Sequence, residues 1–209
     1  MWPVKKNLGW PLLLLLLFAL SRWPGLLPDN FSAAYALVFC AGVYLPGAVG
    51  WIIPLAVMAG TDLVIGLVFY PQTFSWGGFL LHQSPCWIAY AGLIAMGRSV
   101  GRKRPWWLLV CGGMVGAMLF YLLTNTASWL MLGYAKTWAG WIKALTTGLP
   151  GHAQTWEFFR NTLSSGGLFT GLFAGAMKLA EAAEEQEDEE PEKEAEPAEE
   201  ESEPADAET

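Results

Sequence analysis

The chain reads as an all-α, polytopic membrane protein, a bundle of six transmembrane helices with a disordered acidic C-terminal tail. Three observations carry that reading. Apolar runs of membrane-crossing length recur along a chain that is 54% hydrophobic and 15% charged, where soluble domains carry about 25% charge. The charges are segregated: 16 of the 19 acids lie in residues 181–209, and residues 1–180 hold only Asp29, Asp62 and Glu157 against 11 Lys and Arg. The pI of 4.8 therefore describes the tail and says nothing of the body. Finally, the basic clusters fall where the positive-inside rule wants them, before the first run and between the fourth and fifth.

The first span, 8–23, centres on an unbroken leucine run behind Lys5 and Lys6. Ala19-Leu20-Ser21 is a poor cleavage site and Arg22-Trp23-Pro24 follows it, so the segment is expected to be retained rather than removed as a signal peptide. The second span is 31–49 and the third 51–70. The fourth, 80–97, is short in its apolar part, and Pro85 is expected to interrupt it. The fifth is 106–131 and the sixth 163–180. Arg98, Arg102, Lys103 and Arg104 place the loop after the fourth span in the cytoplasm. Both termini are then cytoplasmic, in a bacterial inner membrane, and the loops 22–30 and 71–84 and the segment 132–162 face outside. Within that segment Tyr134, Trp138, Trp141, Ile142 and Leu145 fall at helical spacing before Gly148-Leu149-Pro150, which predicts an interfacial or re-entrant helix. Residues 181–209 are Glu, Ala, Pro and Asp with almost nothing apolar, and are expected to be disordered.

Asp62 stands alone as an acid inside the third apolar run. A carboxylate at that depth costs roughly 2.5–3.5 kcal/mol on insertion scales. It marks either a polar cavity or a bond to a neighbouring helix. Placed on the topology, Asp62 lies about 12 Å below the outer end of its span. Tyr121, Asn125 and Trp129 share one face of the fifth span at i, i+4 and i+8, near its outer end. Asn30 opens the second span from outside, and Arg160 with Asn161 opens the sixth. This set converges on the outer half of the bundle, as a small-molecule site with an apolar wall and few polar anchors requires. Asp62 and Asn125 would anchor a solute, Tyr121 and Trp129 would form its wall, and Arg160 would pair with Asp62 or with the solute.

No paired catalytic carboxylates, zinc-protease helix, nucleophile elbow or phosphate-binding loop occurs, so no enzymatic activity and no cofactor is expected. The three cysteines, Cys40, Cys86 and Cys111, are odd in number and lack metal-ligand spacing. Small residues at four-residue spacing, Gly167/Gly171/Gly175, Gly112/Gly116 and Ser32/Ala36/Cys40, suit close helix packing in lipid. The last of these stripes is the candidate for docking a partner subunit. No nucleic-acid partner is implied.

The stretch from Asn30 to Gly42 (NFSAAYALVFCAG), with Pro54, Met58, Thr61-Asp62-Leu63 and Gly66 behind it, resembles a family of uncharacterised bacterial membrane proteins labelled as transport proteins. Leu123-Thr124-Asn125, Trp129, Tyr134, Gly148-Leu149-Pro150 and Phe159-Arg160-Asn161-Thr162-Leu163 extend the resemblance over most of residues 8–180. That family is similar in fold to the substrate-binding S components of energy-coupling-factor transporters. The resemblance implies a six-helix subunit that takes up a small solute, a vitamin-like molecule or a metal ion, from outside. It also implies a transmembrane coupling subunit with ATPases, and points to Asn30, Asp62, Asn125 and Trp129 as site positions. Family members carry a Gly-Asp pair where this chain reads Ser165-Gly166-Gly167, which removes an acid from the sixth helix. The alternative function is a membrane scaffold that recruits a cytoplasmic partner through its acidic tail.

Overall fold

Pro46 and Gly47 cut the second predicted span short. A proline ring disfavours helical backbone in the residue before it, and Leu45 is extended at φ −87° and ψ 127°. Gly47 then turns the chain at φ +54°. The computed structural model, which describes residue 18 and residues 20–194, thus has an 11-residue helix α1, Ala34–Tyr44, where the sequence suggests one span over 31–49. At 1.5 Å per residue α1 is about 16 Å long, half the hydrocarbon thickness of a bilayer. Nine of its 11 residues are buried, so it is a central post and not a span.

The remaining helices are α2, Val49–Phe69; α3, Trp76–Val100; α4, Trp106–Met131; α5, Trp138–Leu145; and α6, Thr155–Glu194. No strand occurs among the described residues. Helix α1 packs against α2, α3, α4 and α6, while α4 and α6 lie along one another. The first predicted span falls mostly outside the described residues.

Two helices, α2 and α4, are long and apolar enough to cross a membrane. Helix α2 is apolar yet turned outward, with Ile52, Ile53, Val64 and Val68 all more than half exposed. Exposed apolar surface on that scale marks a face that meets something other than water. Helix α4 keeps the predicted boundaries, 106–131.

Two expectations are corrected in α3 and α6. Pro85 does not interrupt α3, which runs through it for 25 residues. Proline removes the N–H that would reach the Leu81 carbonyl one turn back. The Ser84 hydroxyl supplies the missing donor, at 3.2 Å from the Leu81 oxygen. Ser84→Ala is therefore expected to cost about 1 kcal/mol, seen as a lower unfolding temperature of the detergent-solubilised protein. Helix α6 continues through residues 181–194, which the sequence assigns to a disordered tail. Residues 195–209 lie outside the described residues.

Close approach explains the glycines. A Cβ on Gly42 would meet the backbone of Ile94 in α3, and one on Gly97 would meet the Phe39 carbonyl and the Val43 nitrogen in α1. One on Gly113 of α4 would run into Thr170 of α6, and one on Gly166 would lie 2.6 Å from Ala117 Cβ. The Gly167/Gly171/Gly175 stripe faces Met114, Val110 and Trp106, and Gly171 accepts the Trp106 indole N–H at 3.0 Å. These stripes are packing surfaces of the bundle itself. The same holds for the stripe read as a docking face: Ala36 and Cys40 are buried and Ser32 partly so. A partner cannot reach them while α1 holds its place.

Candidate functional site

Asp62 is buried on α2 and its partner is Arg22, 40 residues earlier in the chain, which donates to Oδ1. The expected partner, Arg160, is not there. It is exposed at the start of α6, and its guanidinium lies over the Trp156 ring at 5.6 Å. Arg22 also lies 5.9 Å from the Phe18 ring. The arginine Nε, the second carboxylate oxygen Oδ2 and the Trp87 indole N–H are buried without hydrogen-bond partners among the described residues. Such groups inside low-dielectric surroundings cost free energy, and this pair is the strongest polar commitment in the bundle.

Above Arg22 lies a cavity of about 500 Å³. Its roof is the 21–32 segment, its sides are the start of α1 and parts of α3 and α4, and Ile65, Phe158 and Thr162 complete it. These are the C-terminal ends of α2 and α4 and the N-terminal ends of α1, α3 and α6, so the cavity opens at one end of the bundle. The other end carries Arg98, Arg102, Lys103, Arg104 and Lys178, with Arg98 donating to the Gly47 carbonyl and Lys178 to the Arg102 carbonyl at 2.9 Å.

Three of the predicted site residues line this cavity: Asn30, Tyr121 and Asn125. Asn30 sits in the left-handed region at φ +60°, and its carbonyl accepts from the Tyr35 hydroxyl at 3.4 Å. Asn125 spends an amide N–H on the Tyr121 carbonyl at 2.9 Å, which leaves its side-chain oxygen to accept from a guest. Tyr121 has a second duty. Its hydroxyl donates to Leu145 O at 2.6 Å and lies 3.2 Å from Thr155 O, joining α4 to the end of α5 and the start of α6. Tyr121→Phe is expected to cost about 1–3 kcal/mol by leaving those carbonyls unsatisfied, measured as a fall in unfolding temperature with the cavity wall intact.

Asp62, Trp129, Arg160 and Asn161 stand outside the cavity lining. Asp62 is behind Arg22. The Trp129 indole donates to Ala135 O at 2.8 Å and holds the turn after α4, where Lys136 donates to Leu132 O at 3.1 Å. The Asn161 amide donates to Asp29 O at 2.9 Å and ties the roof to α6. Sequence reasoning missed Arg22, Tyr90 and Gln83. Arg22 was legible as a cation at the outer end of the first span, the same end at which Asp62 lies. The predicted helix of the outer segment is α5, anchored by the Trp141 indole on Thr126 Oγ1 at 2.9 Å.

These features define the class: a protein all-helical over the described residues, with two helices long and apolar enough to cross a membrane and a polar cavity at one end. The chain belongs to a family of unknown function, DUF6580, whose pattern matches residues 4–188. No curated protein and no solved structure matches it.

Proposed function

We propose that this chain is a multi-pass membrane protein that binds a small solute at the outer end of its bundle, as an S-component-like subunit whose uptake step is energised by a separate module. The observation that carries this reading is the cavity of about 500 Å³ at the end away from the basic loop. That volume is within the range of small-molecule sites, roughly 300–1,000 Å³. Its polar groups are an arginine, an aspartate at the mouth, three amides and several hydroxyls, set among aromatic rings. Among the described residues no three His, Cys, Asp or Glu converge, which favours an organic solute over a metal ion. No residue of the cavity is assigned covalent chemistry.

Orientation follows from charge. Arg98, Arg102, Lys103 and Arg104 occupy the short loop between α3 and α4, and that loop is cytoplasmic by the positive-inside rule. The cavity then faces outward, and the exposed apolar surface of α2 meets lipid. The test is labelling with a membrane-impermeant maleimide in intact bacterial cells, in a background with Cys40, Cys86 and Cys111 replaced. Asp29→Cys is expected to react in intact cells and Lys103→Cys only after permeabilisation. The reverse pattern overturns the orientation, and reaction of both in intact cells overturns the membrane topology.

A further inference from the structure

Among the described residues that line the cavity Arg22 is the one cation, and its counter-charge is placed behind it. Asp62 does not line the cavity, so a guest meets the guanidinium and not the carboxylate. Asp62 engages Arg22 through one terminal nitrogen, and a guanidinium offers five N–H donors in a planar fork suited to carboxylates. Beside Arg22 the wall is aromatic. Tyr90 stacks on Phe120 with centroids 5.1 Å apart, and Tyr35 meets the same ring at 4.8 Å. Further up, Asn125 and Gln83 add neutral hydrogen-bonding groups. The remaining charge on the wall is Asp29, exposed at the mouth, where it disfavours a second negative group on a guest.

Resting on the solute-binding reading above, we infer that the cavity takes an organic monocarboxylate with a flat, aromatic-sized body. The carboxylate sits against Arg22, and the ring lies against the wall that Tyr35, Tyr90 and Phe120 form. A cationic guest would face Arg22 with no acid at that depth of the wall, and a neutral guest would accept from the guanidinium without the charge attraction that a carboxylate adds. The single deep cation and the acid at the rim thus select for one negative charge, carried at the buried end.

The experiment compares indole-3-acetate with indole-3-acetamide, which match in size and differ in charge, by isothermal titration of the detergent-solubilised full chain. The acid is expected to bind at least about tenfold tighter than the amide. Arg22→Gln is expected to abolish that preference, and Arg22→Lys to restore part of it. The comparison in the wild type needs no variant, so it stands if Arg22→Gln does not fold. Equal binding of acid and amide overturns the monocarboxylate assignment and leaves the solute cavity standing. Binding of neither overturns the monocarboxylate assignment, and where the protein also releases no small molecule on denaturation it overturns the solute cavity as well.

Discussion

Arg22→Ala is expected to destabilise the protein by about 3–5 kcal/mol, because it leaves the Asp62 carboxylate buried without its counter-charge. For a chain of this length that corresponds to a fall in unfolding temperature on the order of 10 °C. Asp62→Ala is expected to do the same from the other side, stranding a guanidinium that is only slightly exposed. The sign of the double change separates a stabilising pair from a mutually dependent one. Replacing both, Arg22→Met with Asp62→Leu, removes two desolvation penalties together with the attraction, and is expected to recover most of the lost stability. A double variant as unstable as the sum of Arg22→Met and Asp62→Leu measured singly would mean that the two residues act independently, and the pairing described above would be wrong.

Gly97→Ala is the second large effect. Helices α1 and α3 touch backbone to backbone at this crossing, and the added methyl would meet the Phe39 carbonyl with the Val43 nitrogen at 3.0 Å and Gly42 Cα at 3.2 Å. No side chain can rotate away, so one helix must shift. Overpacking of well-packed cores costs roughly 1–3 kcal/mol, and the rigid backbone neighbours put this site at or above the top of that range. Gly60→Ala is the control. It lies within α2 with open space around its would-be Cβ, and is expected to be neutral or slightly stabilising, since alanine is the better helix former. Thermal unfolding of both variants in the same detergent reads the difference, and a Gly97→Ala protein as stable as Gly60→Ala would refute the close crossing.

Much of this fold was legible from hydropathy alone. The boundaries of α4 coincide with the predicted 106–131, α2 lies within two residues of 51–70, and α5 lies within the outer segment in which a short helix was predicted. The failures share a cause: each stretch was read by itself. An apolar run over 31–49 satisfies a span template, but Pro46 restricts Leu45, and what remains is short enough to be wrapped by four other helices. Pro85 looks like a break until Ser84 is seen to donate to the orphaned carbonyl. Residues 181–194 are rich in glutamate, whose helix propensity is good, and they propagate a helix that α6 has already nucleated.

The convergence of part of the predicted set was legible. Three predicted residues, Asn30, Tyr121 and Asn125, meet in one cavity because helix ends on the same side of a bundle converge whatever the packing details. Pairings were not legible. Arg22 and Arg160 sit at similar heights in the sequence reading, and only the packing decides that Arg22 turns inward to Asp62 while Arg160 lies on Trp156.

The most direct measurement of solute binding is mass spectrometry of the small molecules released from purified, detergent-solubilised protein, wild type beside Asn125→Trp. The substitution places a large ring on the cavity wall, on a partly buried α4 residue whose amide bonds only within its own helix. A molecule retained by the wild type and absent from an equally stable Asn125→Trp protein is the predicted result. If both proteins release the same molecules, or none, the cavity is not a solute site, and the scaffold reading of the chain takes its place.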